Sequence, residues 1–76
     1  MKEVLQTIIE GLVDDKQSIE ITEKEENNNI QIQVKVSEKD MGKIIGKQGK
    51  NANAIRVLIK ALAGRQNKKV TIEFVS

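Results

Sequence analysis

The order and period of the apolar residues predict an α+β two-layer domain: a three-stranded sheet with three helices on one face, in the order α-β-β-α-α-β. Three observations carry that expectation. An opening segment repeats apolar residues at helical spacing, and a middle segment alternates apolar and polar residues with period two. Two glycines three apart, Gly46 and Gly49, then split a later helical region into a short helix and a long one. The 76 residues are read as one domain, 1–76. A chain of this size buries only about 60% of the surface its unfolded form exposes, so every element must share one core.

The opening helix is set by Met1, Val4, Leu5, Ile8, Ile9, Leu12 and Val13 on one face, with Glu3, Gln6, Thr7 and Glu10 on the other. Gly11 weakens its end and Asp14-Asp15 close it. Ile19 and Ile21 alternate with Glu20 and Thr22 as a first strand. Ile30, Ile32, Val34 and Val36 alternate with Gln31, Gln33 and Lys35 as a second, so the sheet is covered on one side only. The polar run Glu23 to Asn29 between them is read as the hairpin turn, its three asparagines tolerating left-handed backbone. Ser37 and Asp40 form a capping-box-like pair that opens a short helix over 38–45. The longer helix runs from Lys50 to Ala63, with Gly64 as its stop. Arg65 to Lys69 form a basic loop. The last strand alternates Val70, Ile72 and Phe74 with Thr71 and Glu73; because a helical crossover leads to it, it is expected to lie parallel to a neighbour, the crossover right-handed.

Composition removes several function classes. The chain has no cysteine and no histidine, which takes away disulfides, thiolate metal sites and the commonest general base. Its single aromatic, Phe74, cannot build a stacking platform, and without proline there is no proline-rich tail. No apolar run exceeds four residues, against ~20 for a membrane span, and the N-terminus lacks a signal-peptide pattern. The expectation is a soluble cytoplasmic domain that is not an enzyme, with no catalytic residue, metal or cofactor. The net charge of +2 hides an asymmetry. Residues 1–36 set four lysines against eight acids, a net −4, while residues 37–76 set nine basic residues against three acids, a net +6. The second half therefore suits a polyanion.

The chemistry concentrates in Gly42-Lys43-Ile44-Ile45-Gly46-Lys47-Gln48-Gly49-Lys50. Glycines at 46 and 49 let the backbone turn tightly between two helices and let another molecule approach closely. The loop lies at the N-terminus of the longer helix, where unpaired N–H groups and the positive end of the dipole favour an anion such as phosphate. The short helix aims its negative end at the same loop, which Lys43, Lys47 and Lys50 offset, and Gln48 supplies hydrogen-bonding capacity at the apex. A P-loop is excluded because Gly42 to Gly46 encloses three residues and Gln48 stands where the Mg²⁺-binding hydroxyl belongs. The dinucleotide fingerprint fails because these glycines do not follow a strand. The residues leave two readings open: a phosphodiester clamp, or a tight helix–helix turn of purely structural use.

The stretch from Ile44 to Arg56, Ile-Ile-Gly-Lys-Gln-Gly-Lys-Asn-Ala-Asn-Ala-Ile-Arg, resembles the signature of KH domains, whose Gly-x-x-Gly loop clamps about four backbone nucleotides. The element order is similar to the bacterial type II KH arrangement, and the length to the small stand-alone bacterial KH proteins of the KhpA type. The resemblance covers essentially all 76 residues; Asn27-Asn28-Asn29 departs from it outside the motif. It implies that Gly46, Lys47, Gln48 and Gly49 clamp single-stranded RNA, with Lys43, Lys50 and Arg56 contributing charge. It also implies an aliphatic groove for bases, in place of stacking residues, with Ile44 or Ile45 and Val57 as candidate walls; burial in the core is the competing use of these aliphatics. Partnership with a KhpB-like KH protein is implied too, with roles as RNA chaperone or post-transcriptional regulator in cell elongation and cell-wall homeostasis.

The longer helix adds its own signal. Ile55, Leu58, Ile59 and Leu62 make a core-facing stripe, while Ala54, Val57 and Ala61 widen the apolar arc beyond what one sheet face needs, which suits a groove or a homodimer or heterodimer contact. Arg56 and Lys60, four apart on the outward side, and Lys68 and Lys69 beside the last strand, are either phosphate contacts or solvated surface. The rival functions are a protein-interaction module with a structural turn, and single-stranded DNA binding, since no residue announces a contact to a 2′-hydroxyl.

Overall fold

Lys2–Leu12 forms α1, whose Leu5 and Ile9 are fully buried and carry Val13 into the core just beyond the last turn. This is the computed structural model of residues 1–76, all of which it describes. A 3-10 turn at Lys16–Ser18, unforeseen from the residue pattern, leads into β1, Glu20–Glu26. β2 is Asn29–Lys35, α2 Glu38–Ile45, α3 Lys50–Arg65 and β3 Lys69–Val75, with a second 3-10 turn at Lys47–Gly49. The sheet order is β1-β2-β3. β1 and β2 are antiparallel, from Glu20 opposite Lys35 to Glu26 opposite Asn29. β2 and β3 are parallel, from Asn29 beside Lys69 to Lys35 beside Val75, the pairing that the helical crossover between them allows.

One core forms between the helices and one sheet face. Ile30, Ile32, Val34 and Val36 alternate inward with Ile21, Val70 and Ile72, and all are buried. They pack with Leu5, Ile9, Ile44, Ile55, Ile59 and Ala63 from the helices. Gln31, Gln33, Lys35, Thr71 and Glu73 are exposed on the opposite face, so the sheet is covered on one side. Each buried Leu, Ile or Val contributes roughly 1.5–3 kcal/mol relative to exposure. The α+β class and the order α-β-β-α-α-β are as expected.

Four local expectations change. The polar run Glu23 to Asn29 is mostly strand: β1 continues to Glu26, and only Asn27 and Asn28, at φ 51° and 65°, form the turn. Two positive-φ residues make the tight hairpin connection whose twist matches the strands, so acids at an exposed edge are enrolled in pairing although they bury nothing. Gly64 does not end α3. The helix reaches Arg65, and Asn67, at φ 58°, takes the left-handed terminating position. The Asn67 N–H donates to the Gly64 carbonyl and the Lys68 N–H to the Ala63 carbonyl, both at 3.0 Å, which satisfies the last carbonyls in the double-bonded terminating pattern. Leu58 is 44% exposed, because the core line of α3 runs through Ala52, Ile55, Ile59 and Ala63, where small residues let the helix approach the sheet. Ser37 is the N-cap of α2 but makes no side-chain bond to its amides. Its hydroxyl donates instead to Asp40 Oδ2 at 3.0 Å. No helix is long and apolar enough to cross a membrane.

Candidate functional site

The segment between α2 and α3 is bent by positive φ at three of its four residues. Gly46 has φ 75° and ψ 175°, Gln48 φ 58° and ψ 26°, and Gly49 φ 76° and ψ 12°. The two glycines are needed for different reasons. A Cβ on Gly46 would lie 2.7 Å from Asn51 Cγ and 2.9 Å from both the Asn51 amide nitrogen and its Cβ, so space and φ both demand glycine. At Gly49 the nearest atom to such a Cβ is 3.9 Å away, so φ alone demands it. Gln48 holds a left-handed conformation with a Cβ present, at a cost of about 1–2 kcal/mol that the surrounding turn must offset. The Gly49 N–H donates to the Gly46 carbonyl at 3.2 Å and the Lys50 N–H to the Lys47 carbonyl. These two amides are therefore already used inside the turn, which leaves fewer donors at the head of α3 than a bare helix N-terminus offers.

The charged residues separate into two groups. Lys47 and Lys50 are exposed at the loop and make no ion pair. Lys43 is different: its ammonium donates to Asp14 Oδ2 and stands 3.6 Å from Asp40 Oδ1. The hydrogen bond to the Asp14 carboxylate, outweighing desolvation, raises the Lys43 pKa above the ordinary lysine value. Its ammonium is thus paired within the chain, whereas those of Lys47 and Lys50 are not.

Asp40, read from the residues only as a capping partner, is the hub of this internal network. It is 2% exposed and accepts hydrogen bonds from the Asp14 N–H at 3.2 Å and the Asp15 N–H at 3.0 Å, besides the Ser37 hydroxyl. The Asp15 N–H leads the causes that hold its carboxyl below the usual range; desolvation opposes it, and the Asp14 N–H, Ser37 and Lys43 reinforce it. Asp40 thereby ties the end of α1 to the start of α2 and fixes the base on which the loop stands. A Ser-x-x-Asp pattern was the only signal for it, and that pattern says nothing of amides 25 and 26 residues away.

The remaining predicted residues also divide. Arg56 is half-buried, with its guanidinium carbon 5.2 Å from the centroid of the Phe74 ring, so it lies across the α3–β3 seam and is not freely solvated. Ile44 is fully buried and belongs to the core, which removes it as a groove wall. Ile45 and Val57 are 36% and 68% exposed. Lys68 pairs with Glu25 at 2.8 Å, closing the start of β3 against the hairpin. Lys60 and Lys69 line a shallow hollow with Asn29 and Thr71 at the far end of α3. Asn51, missed in the residue pattern, donates from Nδ2 to the Lys43 carbonyl at 2.8 Å. No group of acidic residues is arranged to hold a metal ion.

The site is thus a basic turn joining two helices above a one-sided mixed sheet. The family model for the KhpA/KhpB KH domain matches residues 2–74. The chain belongs to the KhpA/KhpB KH-domain family. Among its KhpA relatives, the RNA-binding protein KhpA of Clostridium acetobutylicum is 44% identical over 75 residues, covering 99% of this chain and 100% of the relative. RNA-binding protein KhpA of Chlamydia trachomatis is 40% identical, covering 99% and 96% of the two chains, and that of Listeria monocytogenes 37%, covering 99% of each. No solved structure matches the chain. The α-β-β-α-α-β order and mixed sheet are those of the type II KH fold, and Gly46–Gly49 lies between its α2 and α3.

Proposed function

We propose that this chain binds single-stranded RNA, seating the sugar–phosphate backbone against Gly46, Lys47, Gln48 and Gly49 without making or breaking a bond. The observation that carries this reading is the loop itself: an open turn with positive φ at Gly46, Gln48 and Gly49, flanked by two lysines, Lys47 and Lys50, that have no partner inside the chain. The name RNA-binding protein carried by KhpA relatives of nearly equal length supports the choice of ligand. Arg56 lies on the α3–β3 side of the loop and Ile45 and Val57 are open to solvent, so bases can meet charge and aliphatic surface without aromatic stacking.

The test is Lys47→Asp combined with Gln48→Asp, measured by fluorescence anisotropy on a short single-stranded RNA. Binding is expected to vanish while circular dichroism stays that of the wild type; undiminished affinity in the folded double variant would overturn the reading. A DNA oligonucleotide of the same sequence measures the preference for the 2′-hydroxyl. Affinity for about four nucleotides is weak and falls steeply with salt. A purely structural turn would leave any binding insensitive to these substitutions.

A second reading concerns assembly. Ala54, Val57, Leu58 and Ala61 are exposed at i, i+3, i+4 and i+7 on the outer side of α3, an apolar stripe with nothing from this chain over it. This stripe supports pairing with a second KH domain, in a homodimer or with a KhpB-like partner, and two linked clamps gain affinity through effective concentration. Sedimentation of wild type and Val57→Asp, alone and mixed with the partner, checks it: a wild type that stays monomeric in both settings contradicts pairing. From the family relationship we carry forward a cytoplasmic role as RNA chaperone or post-transcriptional regulator in cell elongation and cell-wall homeostasis. Its check is the cell shape and retained RNA of a strain carrying the loop double variant.

A further inference from the structure

We infer that Asn51 is a positioning residue that holds the Gly46–Gly49 loop in its RNA-binding shape; this rests on the reading of that loop as the clamp. Asn51 stands at the second position of α3, yet its Nδ2 donates to the Lys43 carbonyl at 2.8 Å, in the last turn of α2. Carbonyls there have no partner within their own helix. One short side chain therefore bridges the two helices that the loop separates. The same side chain fills the space that glycine leaves open, since Asn51 Cγ and Cβ lie 2.7 Å and 2.9 Å from where a Gly46 Cβ would be.

The loop has little else to hold it. The Gly46 N–H donates back to the Gly42 carbonyl at 2.9 Å, and two 3-10 bonds close the rest, one of them the 3.2 Å contact from the Gly49 N–H to the Gly46 carbonyl. Gln48 meanwhile sits in a left-handed conformation that a residue with a Cβ adopts only when its surroundings impose it. Asn51 also works on charge. The negative end of the α2 dipole faces the loop, and the Asn51 amide covers one of its exposed carbonyls with a donor while adding no charge of its own. An aspartate there would present an acceptor to the Lys43 carbonyl and bring a negative charge beneath the phosphate. A loop already in its bound shape loses less entropy when RNA arrives.

Asn51→Ala and Asn51→Ser, which cannot reach the carbonyl, and Asn51→Asp are compared with wild type in two measurements. In the RNA-free protein, ¹⁵N relaxation is expected to show the Gly46–Gly49 amides becoming mobile while the sheet amides keep their wild-type order. On a short single-stranded RNA, Asn51→Ala and Asn51→Ser are expected to weaken binding roughly three- to tenfold, the loss of one hydrogen bond's worth of order. Asn51→Asp is expected to weaken it further. In a Lys47→Ala background the cost of Asn51→Ala is expected to shrink, because a positioning residue acts through the loop it positions. Unchanged loop order in Asn51→Ala and Asn51→Ser overturns the proposal, whether or not RNA binds. So does a mobile loop with undiminished affinity, or an equal loss in both backgrounds, which marks an independent contact. A wild type that binds no RNA defeats the functional reading, and the relaxation data then decide the positioning claim alone.

Discussion

The two ends of α2 treat polar groups in opposite ways. At the N-terminal end Ser37, Asp40, Lys43 and the amides of Asp14 and Asp15 are joined to one another, and the buried carboxylate has three hydrogen-bond donors. At the C-terminal end Lys47 and Lys50 have no ion-pair partner, and the backbone is bent through positive φ at Gly46, Gln48 and Gly49. The first end is closed on itself and builds a frame. The second is left open, with Gln48 in a left-handed conformation and its lysines free to meet the RNA of the proposed function. Lys43 shows how the contrast sorts residues: it lies in the same basic motif as Lys47, but its internal partners assign it to the frame.

The strongest way to break this contrast is at the glycines. Gly46→Ala combines a left-handed backbone cost of about 1–2 kcal/mol with overlap against Asn51, so denaturant unfolding is expected to show a loss above about 2 kcal/mol together with lost RNA binding. Gly49→Ala meets only the backbone cost, about 1–2 kcal/mol. Equal effects at the two positions would mean that Asn51 does not crowd the loop.

Next in size is Asp40→Ala, which strands the Asp14 and Asp15 amides and the Ser37 hydroxyl and leaves Lys43 only its Asp14 partner. Its melting temperature is expected to fall well below that of Ser37→Ala, while the folded fraction still binds RNA. The frame also sets the acid response. Asp40 has a folded pKa below its ordinary 3.8. Its contribution is therefore present above that ordinary value and is lost as pH falls through the lower folded one. Lys43 has a folded pKa above its ordinary 10.5, so its contribution is complete below that value and is lost as pH rises through the folded one. Chemical unfolding across pH is expected to show a plateau between these limits, with a shallower acid limb in Asp40→Asn. An unchanged limb in that variant would remove Asp40 from the frame.

Smaller effects sharpen the sorting of cations. Lys47→Ala is expected to lower the salt dependence of RNA affinity by about one released counterion, and Lys43→Ala to leave that slope unchanged while lowering stability. The reverse outcome would exchange their roles. Arg56→Ala removes a cation–π contact worth about 0.5–1 kcal/mol, so it is expected to cause the smallest change in unfolding free energy.

The elements legible from residue order were those whose pattern reports burial. Ile30 to Val36 alternate because the sheet is covered on one side, and α1 is amphipathic for the same reason. The outer half of β1 was illegible because Glu23 to Glu26 bury nothing and are strand only by pairing with β2. Gly64 looked like a helix stop, but the stop depends on which residue reaches left-handed φ, and Asn67 does so three residues later than expected. At the site, the glycine spacing and Lys47 were plain to read. Ile44 was not separable from Ile45, since adjacent isoleucines differ only in which side of the helix meets the sheet. Asp40 and Asn51 were hidden because their partners, the Asp14 and Asp15 amides and the Lys43 carbonyl, are backbone groups brought near by folding.

The most direct measurement is a ¹H–¹⁵N chemical-shift titration of the wild-type chain with a short single-stranded RNA. The largest changes are expected at Gly46, Lys47, Gln48, Gly49 and Lys50, with the exposed sheet residues Gln31, Gln33 and Thr71 unmoved. Saturable binding that shifts the sheet face and leaves the amides from Gly46 to Lys50 in place would contradict the assignment of this turn as the RNA clamp.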